Sequence, residues 1–263
     1  MPAQKTAAST RGSLHCRVGA RALLAIVMVM PLRAQAADLT VSAAASLTNA
    51  FRELGPAFEA QNQGTKLLFN FGASDALLAQ IAQGAPADVF ASADQEAMDR
   101  AETQKLLTPG TRRNFVGNTL VLVAPADSTL SLKTLADLQK PEVKRITLGN
   151  AAVPFGRYSR GALQAARLWA SIEPKVVYGQ NVRQSLDYVA RGEVEAGFVY
   201  ATDVAVQKDK VKVAFTVPTE APIGYPIAAV AGSPNLQAAQ KFVEFVLSPA
   251  GQAVLGRHGF RKP

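Results

Sequence analysis

Cysteine and histidine are nearly missing from this chain of 263 residues. It holds one cysteine, Cys16, and two histidines, His15 and His258. A single cysteine excludes an internal disulfide. Zinc sites and Cys–His nucleophile pairs are excluded with it, because each needs several such side chains together. Acidic residues are missing from positions 1–36, which carry Lys5, Arg11, Arg17, Arg21 and Arg33. Long apolar runs are missing too. The stretch from Ala22 to Met30 is too short for a stable membrane span. There is no tandem repeat and no low-complexity tract.

The order of features in the first 36 residues is informative. A basic stretch precedes the apolar run, and Ala34-Gln35-Ala36 follows with small residues at the two positions a signal peptidase reads. This is the layout of a secretory signal peptide, with the mature chain expected to begin near Ala37. The protein is expected to be exported. Cys16 precedes the apolar run, so it is not placed to become a lipidated N-terminus. Setting the five leader cations aside leaves 23 basic against 20 acidic residues, a net of +3 rather than +8. The headline charge is therefore a targeting feature and not a nucleic-acid footprint.

After the leader, strand and helix patterns alternate, which predicts an α/β protein with mostly parallel sheets. Strands are expected at 39–44, 66–71, 88–92, 118–125, 145–148, 175–178, 194–199, 211–217 and 225–230. Helices are expected after Ser46, after Ser74, over 95–103, 158–170, 182–190 and 202–206, and at the C-terminal end. Phe242, Val243, Phe245 and Val246 mark a core face there. The apolar strand Asn118–Pro125 reads as a first crossing between two lobes. The organisation expected is a leader over 1–36, one lobe from 37–118 plus 226–263, and a second from 119–225.

Candidate chemistry falls where strands run into helices, the edge at which open α/β sheets bind ligands. Four junctions stand out: Ala45-Ser46-Leu47, Gly72-Ala73-Ser74, Val153-Pro154-Phe155-Gly156 and Asn181-Val182-Arg183. Each can offer unpaired backbone N–H groups and the positive end of a helix dipole, which together favour an anion. Local pattern alone gives a plainer reading. Ser46 and Ser74 would be helix caps, Pro154 a helix-start proline, and Tyr200 a half-buried strand residue. Gly72-Ala73-Ser74-Asp75-Ala76 approximates a nucleophile elbow with His258 far downstream, but its last position is Ala rather than Gly. Asp88, Asp94 and Asp99 are better placed for solvated or capping roles than for a cation.

Several segments taken in order resemble the periplasmic molybdate-binding proteins of the ModA type. They are Ala43 to Thr48, Gly84 to Asp94, Gly117 to Pro125, Val153-Pro154-x-Gly156-x-Tyr158, Asn181-Val182-Arg183, Gly197 to Tyr200 and Arg257 to Phe260. The resemblance spans essentially the whole mature chain. It implies a two-lobed periplasmic-binding-protein fold of type II, with two crossing strands at a hinge and no enzymatic activity. The implied ligands are molybdate and tungstate, with no cofactor. The implied partners are a membrane permease and its ATPase in an ABC importer, and the implied state is a monomer. The family's oxyanion contacts fall on Ser46, Ser74, Phe155, Val182 and Tyr200, the serines and Tyr200 offering hydroxyls and the other two backbone N–H groups. Three departures bear on affinity and selectivity, the first being that the loop Asn150-Ala151-Ala152 lacks an acidic residue common in the family. Asp75 places a carboxylate beside an anion site and is expected to face away from it. Phe155 is bulky and could narrow the mouth.

Overall fold

The computed structural model describes residues 37–263. The signal peptide expected over 1–36 lies outside the described residues. No helix among the described residues is long and apolar enough to cross a membrane.

The chain builds β1 (Ala37–Ala44), a short 3-10 turn at Ala45–Leu47, α1 (Thr48–Gln61), β2 (Thr65–Gly72), α2 (Ser74–Ala82), β3 (Val89–Ala91), α3 (Gln95–Thr103) and β4 (Arg113–Asn118). A second run follows: β5 (Leu120–Pro125), β6 (Ile146–Gly149), α4 (Pro154–Ala165), α5 (Trp169–Ile172), β7 (Val176–Gly179), α6 (Val182–Ala190), β8 (Ala196–Tyr200), α7 (Ala201–Val204) and β9 (Val211–Thr216). The end is β10 (Ile223–Ala229), α8 (Leu236–Leu247) and α9 (Pro249–Arg257).

Two five-stranded sheets result, in the orders β2-β1-β3-β10-β4 and β7-β6-β8-β5-β9. In the first, β1 pairs in parallel with β2 and β3, while β10 runs against β3 and β4. In the second, β6 pairs in parallel with β7 and β8, while β5 runs against β8 and β9. Each sheet therefore has one reversed strand among four that share a direction, as the alternation predicted. The reversed strand is the first one the chain lays down after changing sheets.

Aromatic packing fixes helices on the first sheet. Phe58 of α1 meets Phe242 of α8 edge-on at 5.2 Å, and Phe51 meets Phe242 at 5.8 Å. In the second half, Leu163, Leu186, Val189 and Phe198 are fully buried. The C-terminal segment straps onto β4: the Gly117 N–H donates to the Arg261 carbonyl at 2.8 Å, and the Arg261 N–H returns the bond at 3.0 Å.

Three elements differ from the expectation. The strand read as Asn118–Pro125 is the junction of β4 and β5, which belong to different sheets and meet at Thr119. β10 begins at Ile223, pairing with Asn118, so the chain is back in the first sheet before the boundary expected at 225/226. The bulge at Tyr225/Pro226, where proline has no N–H to give the ladder, makes the strand look later in sequence than it is. The helix expected over 158–170 starts earlier, at Pro154, and stops at Ala165. Arg167 then takes a left-handed backbone (φ 59°) before the separate turn of α5.

Candidate functional site

β1, β2, β6 and β8 all end at one place, and the segments after them start helices there. Ala44, Ala45, Ser46, Gly72, Ala73, Ser74 and Ala93 from the first half face Val153, Pro154, Phe155, Asn181, Val182 and Tyr200 from the second across one cavity. Its empty volume is about 240 Å³. The five residues singled out from the sequence thus line a single space.

Each can present a hydrogen-bond donor to that space. Ser74 is the first residue of α2, not its cap, and its Oγ accepts the Ala93 N–H at 3.0 Å. The hydroxyl proton of Ser74 is left to donate. Ser46 sits inside the 3-10 turn and also caps nothing; its Oγ lies 2.9 Å from Tyr225 Oη. The cap reading of both serines is therefore wrong. Tyr200 is 1% exposed, and its Oη has no protein partner among the described residues. An unpaired buried hydroxyl costs about 1–3 kcal/mol, so it is retained at a position where something else can pair with it. Burial, chiefly, pushes its phenol well above the usual tyrosine range, so it stays protonated and can donate.

Backbone groups complete the set. At the start of α6, the Asn181 side chain accepts the N–H groups of Arg183 and Gln184 at 3.0 and 3.1 Å. The Val182 N–H has no protein acceptor among the described residues. At the start of α4, the Val153 carbonyl takes the N–H groups of Gly156 and Arg157, and the Phe155 N–H likewise has no acceptor among the described residues. This tight start depends on Gly156. A Cβ there would sit 2.0 Å from the Asn150 carbonyl oxygen. The Phe155 ring packs over Gly149, where a Cβ would lie 2.7 Å from its Cε1. The Phe155 side chain is buried and belongs to the hydrophobic core while also lining the cavity.

Charge surrounds the cavity without lining it. Asp75, in the first turn of α2, pairs with Arg157 at 3.0 Å and with Arg100. Asp94 caps α3 by accepting the Ala97 N–H and pairs with Arg157 at 2.5 Å. Arg157 belongs to α4, so this cluster spans the cleft. On the other flank, Arg183 of α6 donates to Asn49 Oδ1 at 3.0 Å and to the Ser46 carbonyl at 3.4 Å. Its Nε lies 2.5 Å from the buried carboxylate of Asp203. Burial raises the Asp203 carboxyl to about 6, although the Arg183 guanidinium pulls the other way. Sequence reasoning gave neither arginine a role, because their partners across the cleft lie 63 to 137 positions away.

The alternative chemistries do not assemble. His258 pairs with Glu53 at 2.7 Å and is not beside Ser74. Asp88 accepts the Thr40 N–H and the Ser233 hydroxyl, and Asp99 pairs with Arg112, so the three aspartates hold structure. Among the described residues, no group of three or more His, Cys, Asp or Glu could hold a metal ion.

The sequence matches the family model of bacterial extracellular solute-binding proteins over residues 39–261. The molybdate-binding protein ModA of Escherichia coli is 36% identical over 84% of this chain and 88% of its own length. ModA of Haemophilus influenzae is 34% identical over 86% and 91%. A periplasmic molybdate-binding protein of Azotobacter vinelandii shares the fold with a TM-score of 0.75 at 24% identity, covering 86% of this chain and 99% of that one. The sulfate-binding protein SubI of Mycobacterium tuberculosis also reaches 0.75, at 20% identity over 86% and 87%. Proteins of this fold thus carry the names of different anions. This chain belongs to the bacterial extracellular solute-binding protein family, alongside its ModA-type members, and is a binding protein rather than an enzyme.

Proposed function

We propose that this protein captures molybdate, and tungstate as a second ligand, in the cavity between its two halves and passes it to the permease and ATPase of an ABC importer. The observation that carries the reading is a ring of donors, two of them backbone N–H groups that cannot accept: the hydroxyls of Ser46, Ser74 and Tyr200 and the N–H groups of Phe155 and Val182. Such a ring suits a fully deprotonated tetrahedral dianion. It penalises hydrogen phosphate, whose proton would meet another donor. A hydrogen bond to a charged group contributes about 1.5–3 kcal/mol net, so five of them hold a dianion without a charged side chain in contact. Sulfate carries the same charge in a smaller tetrahedron, so cavity size separates it from molybdate.

In this reading residues 1–36 direct export to the periplasm, and the protein acts there as a monomer. The two halves, about 37–118 plus 226–263 and 119–225, close on the anion, because the donors come from both sides. A thermal-shift panel tests the proposal. Molybdate and tungstate should raise the melting temperature well above the shift given by sulfate, because ligand bound only to the folded state adds stability. Equal shifts from molybdate and sulfate would overturn the assigned ligand.

A further inference from the structure

Ser46 does not meet the cavity alone. Behind it stands a run of buried polar groups that passes from the first sheet to the start of α7. Asn118, at the end of β4, accepts the Thr119 N–H through Oδ1 at 2.8 Å. A backbone N–H can only donate, which fixes the orientation of the amide. Asn118 Nδ2 therefore supplies the two donors, to Thr202 Oγ1 at 2.9 Å and to Tyr225 Oη at 3.1 Å. Tyr225 is fully buried on β10, wedged edge-on between Tyr200, Phe115 and Phe260. Its oxygen accepts from Asn118, and the acceptor in reach for its own proton is Ser46 Oγ at 2.9 Å. Turning that proton elsewhere would leave a buried donor unmade, at a cost of about 1–3 kcal/mol.

We infer that Tyr225 and Asn118 are positioning residues that set the direction of the Ser46 hydroxyl. The chain runs from Asn118 Nδ2–H to Tyr225 Oη, from Tyr225 Oη–H to Ser46 Oγ, and from Ser46 Oγ–H into the cavity. Because one lone pair of its oxygen is taken by Tyr225, Ser46 turns its proton to the cavity and is held as a donor, which disfavours an anion that brings a proton of its own. Selectivity at one wall of the site is thus imposed by two residues that do not line it. Burial, first of all, raises the Tyr225 phenol well above the usual tyrosine range, so it stays protonated and can donate to Ser46. Aligned hydrogen bonds also polarise one another, which strengthens the last donor of the series.

This inference rests on the oxyanion reading, and its tests separate the two. Tyr225→Phe keeps the ring and removes the hydroxyl, and its affinities for molybdate, sulfate and phosphate are to be compared with wild type by calorimetric competition. The expected result is a ratio of sulfate to hydrogen phosphate affinity that falls about tenfold, the worth of one hydrogen bond. The ratio of molybdate to sulfate should stay near its wild-type value, because neither anion brings a proton. Thr202→Val removes another Asn118 partner without touching Tyr225, and both ratios should hold there. If Tyr225→Phe changes the affinity for all three anions alike, its hydroxyl does not set the discrimination at Ser46 and the inference is overturned. Neutron diffraction on unliganded crystals gives a readout free of any ligand. A deuteron on Tyr225 Oη directed at Ser46 supports the chain, and one on Ser46 directed at Tyr225 overturns it. A wild-type protein that holds none of these anions would sink the proposed function, and the neutron result would then decide the direction of the chain by itself.

Discussion

Tyr200 is the residue where the cost of the unfilled site is most visible. Its hydroxyl is buried without a protein partner among the described residues, so it costs stability unless something else pairs with it. Tyr200→Phe should therefore leave the melting temperature of the unliganded protein unchanged or raised. It should lower oxyanion affinity roughly tenfold to a hundredfold, as expected for a lost hydrogen bond to a charged group. Loss of apo stability with affinity intact would mean the hydroxyl serves packing. Asp203 gives a pH signature at the same scale. Its folded carboxyl titrates at about 6, above its ordinary value of 3.8. The folded state binds the proton more tightly than the unfolded state. This contribution to stability is thus full below the ordinary value and lost as pH rises through about 6. Denaturation of Asp203→Asn from pH 4 to 7 should lack that fall, whatever its absolute stability. A slope equal to wild type would exclude Asp203 as its source. Ser46 and Ser74 show the limit of reading single residues. Serine at a helix start is ordinarily a cap, and only partners 179 and 19 positions away reveal that these two oxygens are engaged elsewhere.

Elements place the donors, and several were legible. The spans of α3 and α6 could be read from the sequence because Asp94 and Asn181 cap them and apolar residues follow at helical spacing. β4 was not legible. Arg113, Asn114 and Asn118 make it look like a polar loop, and its strand character comes from pairing with β10, more than a hundred residues later. The span expected over 158–170 left out the first turn of α4, although Pro154 was read as a helix-start proline and stands there; Phe155 and Gly156 beside it are weak helix formers, and the turn is held by close approach to the end of β6. Gly156→Ala should test that contact. The added methyl must displace the Asn150 carbonyl, so stability should fall by about 1–3 kcal/mol, and affinity should fall with it as the Phe155 N–H moves. Calorimetry and thermal melting of the variant check both. Unchanged affinity would separate the α4 start from the site.

At the scale of the molecule, two arginines join the halves on either side of the cavity. Arg157 reaches Asp75 and Asp94, and Arg183 reaches Asn49 and the Ser46 carbonyl. The alternation of strands and helices made the two-sheet plan readable, but no local pattern could announce contacts that exist only when the halves meet. Asp75, which looked hostile to an anion, has its charge taken up by Arg157 and Arg100. Arg157→Ala would leave two largely buried carboxylates without this partner in the closed arrangement. Oxyanion affinity should drop by roughly tenfold or more, since ligand binding and closure draw on one equilibrium. Affinity equal to wild type would show that the cluster plays no part in the bound form. The central claim is that one cavity, lined by donors from both halves, holds a tetrahedral dianion. Its most direct test is a crystal structure with molybdate, the metal located by its anomalous scattering. The account predicts the metal between Ser46 and Ser74 on one side and Phe155, Val182 and Tyr200 on the other, its oxygens within hydrogen-bond distance of those five donors. A molybdate held by arginine or lysine side chains, or bound outside this cavity, would contradict it.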